Sequence, residues 1–211
     1  MQNNRVLGLF KFGKHDHIEE FVREGHLFMN TLAYFRELEA DFLMADKHEG
    51  AVYCVQADGA QLCMQHGEKW VDIGTICDQI LPSDGSEHTT NVFCMYAFQE
   101  SAYDSLVDSR NFDFGDTFAV LTKGDEFLRR VYAAATLDNV KLRQGLVEYV
   151  EKSTYNGPMG IFRKFSDFAY QSEFRIAVLS GTNGPFSLRV GDLSDISIVG
   201  NLSELNERIK I

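Results

Sequence analysis

Three side chains in the stretch FAYQSEFRI, residues 168–176, have the types and spacing to do chemistry. Gln171, Glu173 and Arg175 share one parity, while Phe168, Tyr170, Phe174 and Ile176 share the other. On a β-strand this places an amide, a carboxylate and a guanidinium on a single face. A guanidinium two residues away would hold Glu173 in place and lower its pKa, keeping it ionised. Gln171 adds hydrogen-bonding capacity without a second charge. A fixed carboxylate of this kind can stabilise positive charge developing on a substrate. The same alternation also suits an ordinary half-exposed antiparallel strand, whose polar side meets only water.

Phe168 stands three positions before the glutamine, giving aromatic-x-x-Gln-x-Glu. This pattern resembles the catalytic strand of the ADP-ribosyltransferase toxins, in the branch with Gln-x-Glu, and suggests a divergent bacterial member. The family order is an early strand with a cation, a second strand with a Ser-Thr-Ser or a Tyr, and a late glutamate strand. Here VLGLFKF, LFMNTLAYF and FAYQSEFRI follow in that order. Lys11 replaces the Arg or His of the first strand, and Asn30, Thr31 and Tyr34 replace the Ser-Thr-Ser.

The resemblance implies NAD as substrate, with Glu173 catalytic and Gln171 facing the acceptor. It implies an NAD site formed by Lys11, Asn30, Thr31, Tyr34 and Arg175, with no metal required. Cleavage of the nicotinamide–ribose bond builds positive charge on the ribose, as glycoside hydrolysis does. The acceptor would be a protein side chain or a nucleic-acid base, as in toxins and anti-phage effectors, with an antitoxin as a further partner. Two alternatives stay open: a non-catalytic binding module that retains the fold, and an NAD glycohydrolase with water as acceptor.

The elements that must position these residues follow from the apolar patterning. The chain has 211 residues, 45% hydrophobic and 12% aromatic, with three prolines and no repeat or low-complexity linker, which predicts one domain over residues 1–211. VLGLFKF, HLFMN, NVFCMYAFQE, FAVLT, FAYQSEFRIAVL, PFSLRV and ISIVG read as strands. AVYCVQ and QLCMQ read as a hairpin joined across ADGA. HDHIEEFVREG, TLAYFRELE, GDEFLRRVYAAA and LSELNERI read as helices, the first capped by Asp16 and ended by Gly25. LVEYVEK fits either state. Strands outnumber helices without regular alternation, which predicts an α+β domain of two packed, largely antiparallel sheets with short flanking helices, as the resemblance also implies.

Charge is uneven: residues 1–122 carry 8 Lys/Arg against 20 Asp/Glu, and residues 123–164 carry 8 against 5, within a net charge of −11. The acidic bulk disfavours nucleic acid, while the basic segment 123–164 and its tyrosines offer a local surface for an acceptor. The four cysteines form no C-x-x-C pair; Cys54, Cys63 and Cys94 lie in strand-like runs and are expected to be reduced core thiols. His15-Asp16-His17 reads as a helix start rather than a metal site, and Asp46-Lys47-His48-Glu49-Gly50 as a charged loop. No apolar run reaches membrane-spanning length and Val6–Phe10 is too short for a signal-peptide core, so a cytoplasmic location without membrane contact is expected. The P-loop, G-x-G-x-x-G and G-x-S-x-G motifs do not occur.

Overall fold

The computed structural model describes residues 5–37, 48–102, 107–179 and 181–208. The first strands are β1 (Val6–Gly13), β2 (His26–Thr31), β3 (Tyr53–Cys54), β4 (Gln61–His66), β5 (Lys69–Thr75), β6 (Asn91–Gln99) and β7 (Thr117–Leu121). They are followed by β8 (Leu142–Leu146), β9 (Glu148–Val150), β10 (Gly157–Pro158), β11 (Arg163–Phe165), β12 (Glu173–Val178), β13 (Phe186–Arg189) and β14 (Ser197–Asn201). The helices are α1 (His15–Glu24), α2 (Leu32–Glu37), α3 (Gly124–Leu137) and α4 (Leu202–Arg208). The result is a mixed α+β fold with antiparallel sheets, apart from the short parallel pair β9–β11.

Strand β6 organises the eight-stranded main sheet. One of its edges pairs with β12 from Asn91 to Tyr96. Its other edge is shared: β1 takes Tyr96–Gln99, and β2 takes Asn91 and Val92. The sheet therefore forks beside Phe93–Met95. One branch continues through β1 to β7 and β14, and the other through β2 to β13. A fork leaves backbone groups without a strand partner, and such groups need another source of hydrogen bonds. Lys11 supplies one, donating from Nζ to the Cys94 carbonyl at 2.9 Å.

The two faces of the sheet bury different things. Phe93, Met95 and Ala97 of β6 and Phe174, Ile176 and Val178 of β12 join Ile18, Phe21 and Val22 of α1 and Phe127 and Val131 of α3 in the largest core cluster. The spacing 18, 21, 22 gives α1 the apolar stripe that this face requires. Gly25 ends α1 at φ +58, and an added Cβ would meet the Gly191 carbonyl oxygen at 2.1 Å. Only glycine fits that turn, which delivers the chain directly into β2. The opposite face of β6 presents Val92, Cys94 and Tyr96, in register with Ala177, Arg175 and Glu173 of β12. Phe10, Phe12, Phe118, Leu202 and Leu205 pack at one end of that face.

Most expected elements are present, and four differ. QLCMQ pairs with β5, not with AVYCVQ: Gly67, at φ +65, opens a two-residue loop between His66 and Lys69. Tyr53 and Cys54 pair instead with Pro158 and Gly157. Residues 166–171 form a 3-10 turn rather than the start of a strand, and Ser172 at φ 39 separates it from β12. Tertiary contacts override the alternation there: the Arg110 guanidinium lies 3.8 Å from the Tyr170 ring centroid, and Asn111 donates to the Tyr170 carbonyl. LVEYVEK contributes strand residues, and α1 begins after Lys14 without a side-chain cap, leaving Asp16 in the first turn. Cys63 is exposed on the β4–β5 ribbon rather than in the core, because that ribbon pairs only with itself. Among the described residues, no helix is long and apolar enough to cross a membrane.

Candidate functional site

A cavity of about 270 Å³ opens where β1 and β2 part from β6. The carboxylates and cations on its wall are Glu49, Lys164, Glu173, Arg175 and Lys11. Its other polar side chains include Gln171, Asn30 and Asn111, and its aromatic walls include Phe10, Phe12, Phe28, Phe35 and Tyr96. An apolar enclosure with a few convergent polar groups is the usual form of a small-molecule site.

Glu173 is held from both sides. Arg175 Nε donates to Oε2 at 2.6 Å, and Lys164 Nζ donates to Oε1 at 2.6 Å. Lys164 also donates to Gln171 Oε1 at 2.8 Å and lies 3.4 Å from Glu49 Oε2. The far side of the Arg175 fork meets both oxygens of Glu49, at 2.7 and 2.9 Å, and the Ile161 carbonyl at 2.6 Å. Each of these four charged side chains is almost fully buried. The Tyr149 hydroxyl accepts the backbone N–H of Glu173 at 2.9 Å.

Burial alone would raise the Glu173 pKa, but the Arg175 and Lys164 charges and their hydrogen bonds outweigh it and hold the carboxyl down at about 2. Glu49 follows the same pattern, with burial opposed and exceeded by Arg175 and Lys164. Burial would depress Lys164, yet Glu173 and Glu49 keep it above its ordinary value. Lys11 is different. Burial pulls its ammonium below the usual value, and the Glu173 charge opposes this only in part. It lies 4.5 Å from the Phe93 ring centroid in addition to its bond to Cys94. Burial and the Glu173 charge push the Cys94 thiol up to about 12, so it stays protonated and poorly nucleophilic at neutral pH.

The carboxylates make stability depend on pH in a definite direction. Glu173 falls from 4.5 to about 2 on folding, so the native state binds fewer protons than the unfolded state in this window. Its contribution is complete above pH 4.5 and is lost as pH falls toward 2. Urea unfolding midpoints should therefore decline over that interval, and Glu173→Gln should flatten the decline. A midpoint unchanged between about pH 6 and about pH 2.5 would contradict the ion-pair assignment.

The residues singled out from the sequence fall in three groups. Gln171, Glu173, Arg175, Lys11 and Asn30 meet at the cavity. Gln171 arrives there from the 3-10 turn rather than by strand parity, with Ser172 in the left-handed conformation re-aiming the chain between it and Glu173. Thr31 and Tyr34 are not on the cavity wall. Thr31 accepts the Tyr34 backbone N–H at 3.1 Å, capping α2, and the Tyr34 ring is exposed. Phe35, its neighbour, is the α2 residue that faces the cavity. Phe168 lies behind the site, its ring centroid 5.4 Å from Lys164 Nζ.

Lys164 and Glu49 complete the site and were not separable from their surroundings in the sequence. Lys164 belongs to the basic segment, and Glu49 to a charged loop of which residues 46 and 47 lie outside the described residues. The basic segment itself is not a continuous cationic surface. Arg129 and Arg130 pair with Glu126, Arg130 also with Asp195, Arg163 with Glu148, and Lys164 is buried. His15 and His17 are exposed on α1, and no group of three or more His, Cys, Asp or Glu side chains converges among the described residues. Comparison with protein-family models, with curated protein sequences and with solved structures gave no match to this chain.

Proposed function

We infer that the protein is an NAD-dependent mono-ADP-ribosyltransferase, built on the forked two-branch sheet of an ADP-ribosyltransferase-like core. The observation that carries this reading is the meeting of Glu173 and Gln171 with Asn30 and Lys11 in one aromatic-walled cavity. Glu173, kept ionised, would stabilise the oxocarbenium-like ribose as nicotinamide leaves. Lys11 supplies a cation for the pyrophosphate, and Asn30 an amide for the nicotinamide or ribose. Lys164 and Arg175 act through Glu173, fixing its orientation and protonation state. Gln171 stands beside it to orient the acceptor.

The ion pairs along segment 123–164 leave less free positive charge for a phosphate backbone, which favours a protein acceptor over RNA or DNA. Turnover of NAD or modification of a host protein fits a toxin or anti-phage effector, held in check by an antitoxin. One observation favours a second reading, a binding module without turnover: both oxygens of Glu173 already accept from cations. Incubating the protein with labelled NAD and cell lysate separates the readings. Label on protein supports the transferase, free ADP-ribose alone supports the glycohydrolase, and NAD returned intact supports the binding module.

A further inference from the structure

Beyond the cavity rim lies a second chemically competent cluster. Glu20 of α1, His26 of β2 and Ser187 of β13 form a chain of hydrogen bonds: Glu20 Oε1 to His26 Nδ1 at 2.7 Å, and His26 Nε2 to Ser187 Oγ at 2.9 Å. A carboxylate can only accept, so Nδ1 carries the ring proton. In the neutral imidazole Nε2 is then the acceptor, and Ser187 donates its hydroxyl proton to it. This is the geometry by which a histidine activates a serine oxygen as a nucleophile. Arg189, paired across the strands with His26, reaches both Glu20 and Glu24 and limits the freedom of the carboxylate.

The position of the cluster ties it to the cavity. On β2, His26, Phe28 and Asn30 share one face, and Phe28 and Asn30 line the cavity. Ser187 stands directly opposite Phe28 in the β2–β13 register. Directly opposed residues on one face hold their Cβ atoms about 5 Å apart. The His26 side chain is 15% exposed, and Ser187 is exposed. Ser187 is therefore the exposed cross-strand neighbour of Phe28, whose ring forms part of the cavity wall.

We propose that Ser187 is an ADP-ribose acceptor within the same chain, with His26 as its general base and Glu20 as the positioning residue for His26. This rests on the transferase reading above. In the step, a bond forms between Ser187 Oγ and ribose C1″ as the bond from C1″ to the nicotinamide nitrogen breaks. The electron pair of that bond leaves with nicotinamide, which departs neutral, and the hydroxyl proton passes to His26 Nε2. The product is an O-linked ADP-ribosyl serine on the chain that made it.

The test is to incubate the purified full chain with NAD, measure nicotinamide release, and map ADP-ribose by peptide mass spectrometry. ADP-ribose should appear on the peptide containing Ser187, at a first-order rate independent of protein concentration. Ser187→Ala should remove it and Ser187→Thr should restore it. His26→Gln should reduce it by about two orders of magnitude. Glu20→Ala should reduce it too, and Glu20→Gln, whose amide oxygen still accepts from Nδ1, should recover most of it; a purely electrostatic support of the fold would not be rescued by a neutral group. Nicotinamide release without modification of Ser187, or modification that accelerates with protein concentration, would overturn this inference alone. Absence of nicotinamide release would remove the transferase reading and this inference with it.

Discussion

Arg175→Met should lower the unfolding free energy by about 3–5 kcal/mol at neutral pH, the usual cost of leaving buried charge uncompensated. Arg175 is 1% exposed and donates to Glu173, Glu49 and the Ile161 carbonyl. Without it, two buried carboxylates share Lys164 alone, and a carbonyl loses its donor. Methionine fills much of the volume, so the loss reports charge rather than a cavity. Urea unfolding of the variant and the wild type measures the difference. A loss below about 1 kcal/mol would mean that the carboxylates are solvated or protonated in the native protein, against the assignment made here.

Such a network is a poor way to stabilise a fold. Bringing four charged groups out of water costs several kcal/mol for each, and well-packed apolar side chains often do as well or better. Strongly perturbed ionisable groups gathered in a cleft are instead characteristic of functional sites. On that argument Glu173→Gln should reduce nicotinamide release from NAD by about two orders of magnitude or more, since it keeps the shape and removes the charge. The variant also leaves Lys164 and Arg175 with Glu49 as their one shared carboxylate, so its rate must be read below its own melting temperature. If the wild type inhibits growth on expression, the same substitution should relieve it. A folded Glu173→Gln protein that turns over NAD at the wild-type rate would show that another group carries the chemistry.

The sequence was informative where a signal is local. β6 is a nearly continuous apolar run, β1 is one broken only by Lys11, and α1 has its stripe at 18, 21 and 22, closed by Gly25, so these elements could be placed directly. Gln171, Glu173 and Arg175 were visible because they lie within five residues of one another. Glu49 was not, because its partner Arg175 is 126 positions away and nothing in DKHEG distinguishes a buried acid from a solvated one. Lys164 lies only nine positions from Glu173, but nothing in its cationic segment distinguishes a buried lysine from its solvated neighbours. The 3-10 turn at 166–171 was missed because Phe168 and Tyr170 alternate as strand residues do, while contacts from Arg110 and Asn111 decide the backbone. The fork at β6 depends on which strands share an edge, and pairing of that kind leaves no trace in periodicity. Ser187 is likewise brought to His26 only by the β2–β13 pairing, 161 positions away, whereas Glu20 reaches His26 locally across the turn that ends α1.

The measurement that bears most directly on the central claim is nicotinamide release from NAD by the purified wild-type protein. Release is expected to saturate with NAD and to continue through many turnovers when an acceptor or water is available. Lys11→Met should weaken the apparent affinity for NAD, because the cation assigned to the pyrophosphate is gone. A well-folded wild-type protein that neither releases nicotinamide nor binds NAD would contradict the claim that this cavity is an ADP-ribosyltransferase site.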